Sequence, residues 1–195
     1  HKALEQAMKL GYIRFNPSTA CELPRIEKAE IKPLDDEEIK AFLQAIKGHR
    51  YENVYIVTLF TGLRQGEVLG LTWDCIDFDN NTIAIKQQLQ KERGGIGAYH
   101  LVSPKNGKGR RITVAPSVLS VLKEEKLRQN EHKKKAGKLW EQSNLVFTNE
   151  IGNNLSAQTV YLHFKKLAAS VGLPDARFHD LRHSYAVAAL QSGDD

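Results

Sequence analysis

The sequence predicts an α+β fold that is mainly helical, and three observations predict it. Apolar residues recur at three- and four-residue spacing over most of the 195 residues. A central window, 82–115, instead alternates apolar and polar residues between glycine turn signals. With 41% apolar and 26% charged residues the composition is that of a globular chain with a real core, not of a disordered one.

Taken in order, Leu4, Ala7, Met8, Leu10 and Gly11 predict a helix from His1 to Phe15 that stops at Asn16-Pro17. Residues 18–32 mix polar, charged and proline residues as a linker does. In "KPLDDEEIKAFLQAI" the acidic Asp35–Glu38 sit where a helix begins, ahead of Ile39, Phe42, Leu43 and Ile46 at helical spacing. "ENVYIVTLFTGLRQGEVLGL" predicts an apolar helix to Thr61, a turn at Gly62 and a short helix over 65–71. Three strands follow, around Ile83–Ile85, Tyr99–Val102 and Ile112–Val114, with a hairpin turn at Asn106-Gly107. They make a small three-stranded antiparallel sheet that carries most of the basic residues. Helices return over 117–138 and 156–170, with "NLVFTN" extended between them, and "RFHDLRHSYAVAAL" is helical.

The expected organisation is 1–17 as the last helix of a truncated domain, 18–32 as linker, and 33–195 as the main domain. His1 is not Met, and the sequence stops at Gly193-Asp194-Asp195, so a fragment of a longer protein is expected. No stretch reaches the 18 or so apolar residues of a membrane helix, and no signal peptide opens the chain. Cys21 and Cys75 stand far apart outside any CxxC pattern, which predicts reduced thiols in a cytoplasmic protein.

Charge points to a partner. Net charge is +5, yet Lys86–Lys138 holds 14 Lys and Arg against four Glu, a local balance of +10 on a remainder near −5. A basic centre on an acidic body fits a polyanion, nucleic acid first. Lys86, Lys91, Arg93, Lys108, Arg110 and Arg111 are the expected backbone contacts, most of which position a duplex without reading it. The run Lys133–Lys135 reads as solvated.

Four further residues suit chemistry on a phosphate. Arg64, in the turn "TGLRQGE", can aim a guanidinium into a cleft with Glu67 holding it, although a plain intrahelical pair explains the same letters. Lys105 lies at the predicted hairpin tip, where a lysine is ordinarily solvated. His179 and Arg182 share one helical face; a guanidinium forks onto two phosphate oxygens, and an imidazole can donate to the same group or move a proton. His179 and His183 as metal ligands lack a third partner, so no metal is expected.

The order Arg64 in "TGLRQGE", Lys105, then "HDLRHS" 115 residues after Arg64 resembles the tyrosine recombinase (phage integrase) family, in the manner of integrases of bacterial phages and conjugative transposons. The resemblance covers residues from about 32 to the end, with 1–17 similar to the last helix of the family's core-binding domain. It implies that Arg64 and Arg182 clamp the scissile phosphate and Lys105 protonates the departing 5′ oxygen. His179 would assist, and Glu67 would orient the site. It implies no cofactor, a 3′-phosphotyrosyl intermediate, and four protomers on two duplexes. The sequence departs from the pattern in one respect: it ends 13 residues after Arg182, and none of its six tyrosines takes the nucleophile's place. Tyr185, one turn past Arg182, is expected to pack. The alternatives are a DNA-binding recombinase-like module without chemistry, or an RNA-binding or purely structural helical protein.

Overall fold

The computed structural model describes residues 1–22, 24, 32–92, 98–104 and 107–192, and the chain divides into two units, His1–Glu30 and Ile31–Asp195. In the smaller unit, helix α1 spans Lys2–Lys9 and ends well before Phe15. Its terminus is a Schellman motif: the Tyr12 N–H donates to the Ala7 carbonyl at 2.9 Å and the Gly11 N–H to Met8 at 3.0 Å. Gly11 takes φ +77, the left-handed conformation a glycine adopts freely. The apolar spacing continues past the point where this glycine stops the helix, which is why periodicity alone ran it too far. Asn16 then caps a 3-10 turn over Pro17–Ala20, accepting from the Ser18 N–H at 3.0 Å.

The larger unit opens on α2, Asp36–Ile46, with a capping box. Asp35 accepts from the Glu38 N–H at 2.8 Å, and Glu38 accepts from the Asp35 N–H at 3.0 Å. Helices α3 (Glu52–Thr61) and α4 (Gln65–Leu69) follow, then α5 (Pro116–Ala136), α6 (Ala157–Ser170) and α7 (Phe178–Ser192). The apolar faces of α2, α3, α6 and α7 meet in a core of Phe42, Tyr55, Phe164 and Phe178, whose rings lie 5.3–6.1 Å apart. Such tilted aromatic pairs add about 0.5–1.5 kcal/mol each beyond the area they bury. The buried Tyr55 hydroxyl donates to the Val160 carbonyl at 3.0 Å, so no polar atom is stranded there.

Five strands form two sheets. β1 (Ile76–Asp77), β2 (Thr82–Ile85) and β5 (Arg110–Thr113) make an antiparallel sheet in the order β1-β2-β5. The register sets Ile83 opposite Ile112 and Ile85 opposite Arg110. β3 (Gln88–Lys91) and β4 (Tyr99–Val102) form a separate ribbon pairing Leu89 with Leu101. The three-stranded sheet is therefore present, but Tyr99–Val102 is not in it. Strands β4 and β5 consequently do not pair with each other, and Asn106 of the expected turn lies outside the described residues. Turn chemistry is local, whereas pairing follows the alternating Ile83, Ile85, Ile112 and Val114, which all seek the core side. The Gly107 N–H, at φ +67, donates to the Pro104 carbonyl at 2.7 Å.

Candidate functional site

The turn between α3 and α4 builds the site. Gly62 ends α3 at φ +61, ψ 21. A Cβ at that position would stand 2.5 Å from Cδ1 of Tyr185, so the glycine allows α7 to lie directly against the turn. Tyr185 thus packs there, half-buried, as expected of it. One turn earlier on α7, Arg182 reaches the same place and its Nη1 donates to the Gly62 carbonyl. Two residues beyond Gly62, Arg64 sits at the N-cap of α4 in extended conformation, φ −70, ψ 153. Two arginines 118 positions apart in the sequence are thereby fastened to one turn.

Glu67, with 2% of its surface exposed, is the centre of this arrangement. Its Oε2 accepts from the Arg64 N–H at 2.9 Å, and its Oε1 from Arg64 Nη1 at 2.9 Å. Arg110 approaches from β5 as a fork, with Nη1 to Oε1 at 2.8 Å and Nη2 to Oε2 at 2.7 Å. Burial alone would raise the Glu67 carboxyl. The hydrogen bonds from Arg110, the Arg64 N–H, the Arg110 charge and the Arg64 side-chain hydrogen bond overcome that and hold it at about 2. Arg182 feels burial first and then the Arg64 charge, both of which lower its pKa, with Glu67 opposing and Arg110 adding. Three guanidinium groups therefore share one electrostatic neighbourhood with a single buried carboxylate to neutralise them.

His179 stands one turn before Arg182, in the first turn of α7. Burial, then His183 and Arg182, press its pKa below 6.5, with Asp180 opposing and Arg64 adding a smaller push in the same direction. A neutral imidazole at pH 7 can accept a proton or donate a hydrogen bond. Its ring meets that of His183 edge-on, centroids 4.7 Å apart. Among the described residues no group of three or more His, Cys, Asp or Glu could hold a metal ion.

A cleft of about 610 Å³ opens beside Arg64, walled by Gln88, Leu89 and Gln90 of β3 and by Val102, Ser103 and Pro104. Helix α4 can take the ribbon this closely because Gly66 and Gly70 lie on one face. A Cβ on Gly70 would come within 2.6 Å of the Leu89 nitrogen, and one on Gly66 within 3.0 Å of the Leu89 oxygen. Sequence reasoning did not find this packing, although the four-residue glycine spacing was its signal.

Of the expected site residues, Arg64, Glu67, Arg182 and His179 come together. Lys105 and Arg93 lie outside the described residues. Lys86, Lys91, Lys108 and Arg111 are exposed, and Lys86 is 3.9 Å from Asp74. Arg110 differs from that group: it is half-buried and both its terminal nitrogens are committed to Glu67. The strand period separates it from Arg111: Arg110 shares the inward face with Ile112, and Arg111 points away.

Residues 32–195 match the Phage integrase family. The chain belongs to that family. Among curated proteins this integrase chain is 33% identical to a tyrosine recombinase XerC-like protein of Caldanaerobacter subterraneus, over 96% of the chain and 52% of the relative. It is 26% identical to an integrase of Saccharopolyspora erythraea, over 98% of the chain and 55% of the relative. The chain thus spans about half the length of these relatives. Among solved structures, the Tn1549 transposon integrase in complex with transposon right end DNA superimposes with a TM-score of 0.81 at 23% identity, over all of this chain and 65% of that one. A lambda integrase dimer bound to a core site gives 0.60 at 18% identity, over 98% and 63%. These likenesses show that the tyrosine recombinase catalytic fold is shared.

Proposed function

We propose that this chain is the phosphate-binding part of a site-specific DNA recombinase, which integrates or excises a mobile element by cleaving and rejoining duplex DNA. The observation that carries the reading is the convergence of Arg64 and Arg182 on the Gly62 turn. Each keeps donors in reserve: Arg64 gives Nη1 to Glu67 and Arg182 gives Nη1 to Gly62, while among the described residues Nε and Nη2 of both are uncommitted. Two such forks facing one phosphodiester neutralise the charge that grows on its non-bridging oxygens in a pentacoordinate transition state. Donors fixed beforehand do this without reorganising.

In this reading a tyrosine hydroxyl attacks phosphorus, the P–O5′ bond breaks, and a 3′-phosphotyrosyl link conserves the bond for religation. Neither a metal nor a nucleotide is then needed. Lys105 gives the 5′ oxygen its proton, and neutral His179 binds the phosphate or relays the attacking proton. In this reading none of the six tyrosines acts as the nucleophile, and the places of three of them support it. Tyr55 is spent on Val160, Tyr99 on Ser156, and Tyr185 on the Gly62 turn. Duplex DNA is the partner, with four protomers on two duplexes during exchange.

The test uses the longer protein that contains this chain and a family tyrosine, incubated with a nicked suicide duplex. A covalent protein–DNA adduct is expected, and R64A or R182A should each lower its rate by about 10²–10³-fold. The places taken by the tyrosines favour one second reading, a module that binds DNA without cutting it. Salt-sensitive duplex binding with no adduct from any longer form would select that reading instead.

A further inference from the structure

We infer that Arg110 is a positioning residue: by forking onto Glu67 it keeps Arg64 from being captured by the same carboxylate. This rests on the reading of Arg64 and Arg182 as an oxyanion clamp, and it removes Arg110 from the residues that grip DNA.

A carboxylate offers about four lone-pair sites. Glu67 receives four donors: the Arg64 N–H and Arg110 Nη2 on Oε2, and Arg64 Nη1 and Arg110 Nη1 on Oε1. Nothing is left over, so Glu67 can neither take a proton from substrate nor accept from it. The allocation between the arginines is unequal. Arg110 holds both oxygens with both terminal nitrogens, whereas Arg64 spends one side-chain nitrogen on one oxygen.

The planar fork is the geometry that guanidinium and carboxylate prefer. Without a competitor, a buried Glu67 with two empty acceptor sites would draw a second nitrogen of Arg64, because unfilled acceptors on a buried charge are costly. The nitrogen so drawn is one a phosphate needs. Arg110 prevents that by occupying the sites first. Strand geometry makes the arrangement dependable. Arg110 is paired with Ile85 and shares a face with Ile112, so β5 delivers the guanidinium inward at a fixed height. Gly109, immediately before it, passes so near β2 that a Cβ would lie 3.0 Å from the Ile85 carbonyl oxygen.

The experiment uses the whole 195-residue chain, with inorganic phosphate as the probe and the ¹⁵N resonances of the arginine Nε groups as readout. In the wild type, phosphate should shift the Arg64 and Arg182 signals, and R64A should abolish the response. If R64A binds phosphate as the wild type does, the clamp reading fails and the inference falls with it. With that control in hand, R110M should move the Arg64 Nε signal before any phosphate is added and weaken phosphate binding about tenfold. R110K should stay impaired, since an ammonium supplies charge but no fork.

Two results would overturn the inference while leaving the clamp intact. One is R110M with an unchanged Arg64 signal and phosphate affinity. The other is R110M whose duplex binding loses about one unit of salt slope, as removal of a direct phosphate contact does. Should R110M not fold, E67Q is compared with E67Q/R110M, in which the buried charge is gone. Equal phosphate affinity in the two supports action through Glu67, and a further loss in the double variant refutes it.

Discussion

Glu67 is a buried carboxylate that a simple hydrophobic count would forbid, and its cost is met by four hydrogen bonds and two guanidinium charges. Its folded pKa of about 2 lies below the ordinary 4.5. A depressed carboxyl contributes stability in full above its unfolded pKa, and that contribution disappears as pH falls through the folded value. For a shift of this size it amounts to about 3 kcal/mol. The wild type should therefore lose stability between pH 4.5 and 2 more steeply than E67Q, while E67Q should be the less stable protein at pH 7. Urea unfolding at a series of pH values checks both signs, and parallel pH profiles would show that Glu67 is not the group responsible. At this scale the residue types and order of Arg64, Glu67, His179 and Arg182 were enough to expect them in one place, and the structure brings them together. The sequence was not legible for Arg110, since a basic run gives every member the same letter while the strand sends neighbours to opposite faces.

Helices and strands place these residues through a few close approaches. Gly62 makes one of them, where the turn after α3 meets the Tyr185 ring of α7. G62A should cost about 2–4 kcal/mol, combining left-handed backbone strain with a collision. In a Y185A background the collision is gone, and the same substitution should cost about 1 kcal/mol. Equal costs in the two backgrounds, measured by denaturant unfolding, would show that the ring does not matter. The boundaries of α2 through α7 were readable from caps, glycines and periodicity, as the Asp35–Glu38 capping box illustrates. The partners of β4 were not. Tyr99–Val102 has the composition of a strand, but which neighbour it takes depends on Ile83, Ile85 and Ile112 already satisfying one another across β2 and β5. Likewise Gly66 and Gly70 passed as ordinary members of a short helix over 65–71, and only the ribbon lying on them shows why neither carries a side chain.

For the molecule as a whole, the +5 net charge and the exposed Lys86, Lys91, Lys108 and Arg111 set an electrostatic expectation. Duplex binding should weaken linearly in log–log form as salt rises, by about 0.9 units of slope per phosphate contacted. K108A and R111A should each reduce the slope by about one and weaken all sequences alike. An unchanged slope, measured by fluorescence anisotropy across a salt series, would remove that residue from the DNA face. The pocket is also assembled from pieces far apart in the chain. Arg182 grips Gly62 across 120 residues, and the Leu34 N–H donates at 2.9 Å to Ser184 Oγ, 150 residues later. A ribosome makes these parts in sequence order. Until α7 has emerged, a nascent chain owns Arg64, Glu67 and Arg110 but has no Arg182 to fasten to the Gly62 turn, so a half-synthesised polypeptide carries the basic strands well before the turn they flank is complete.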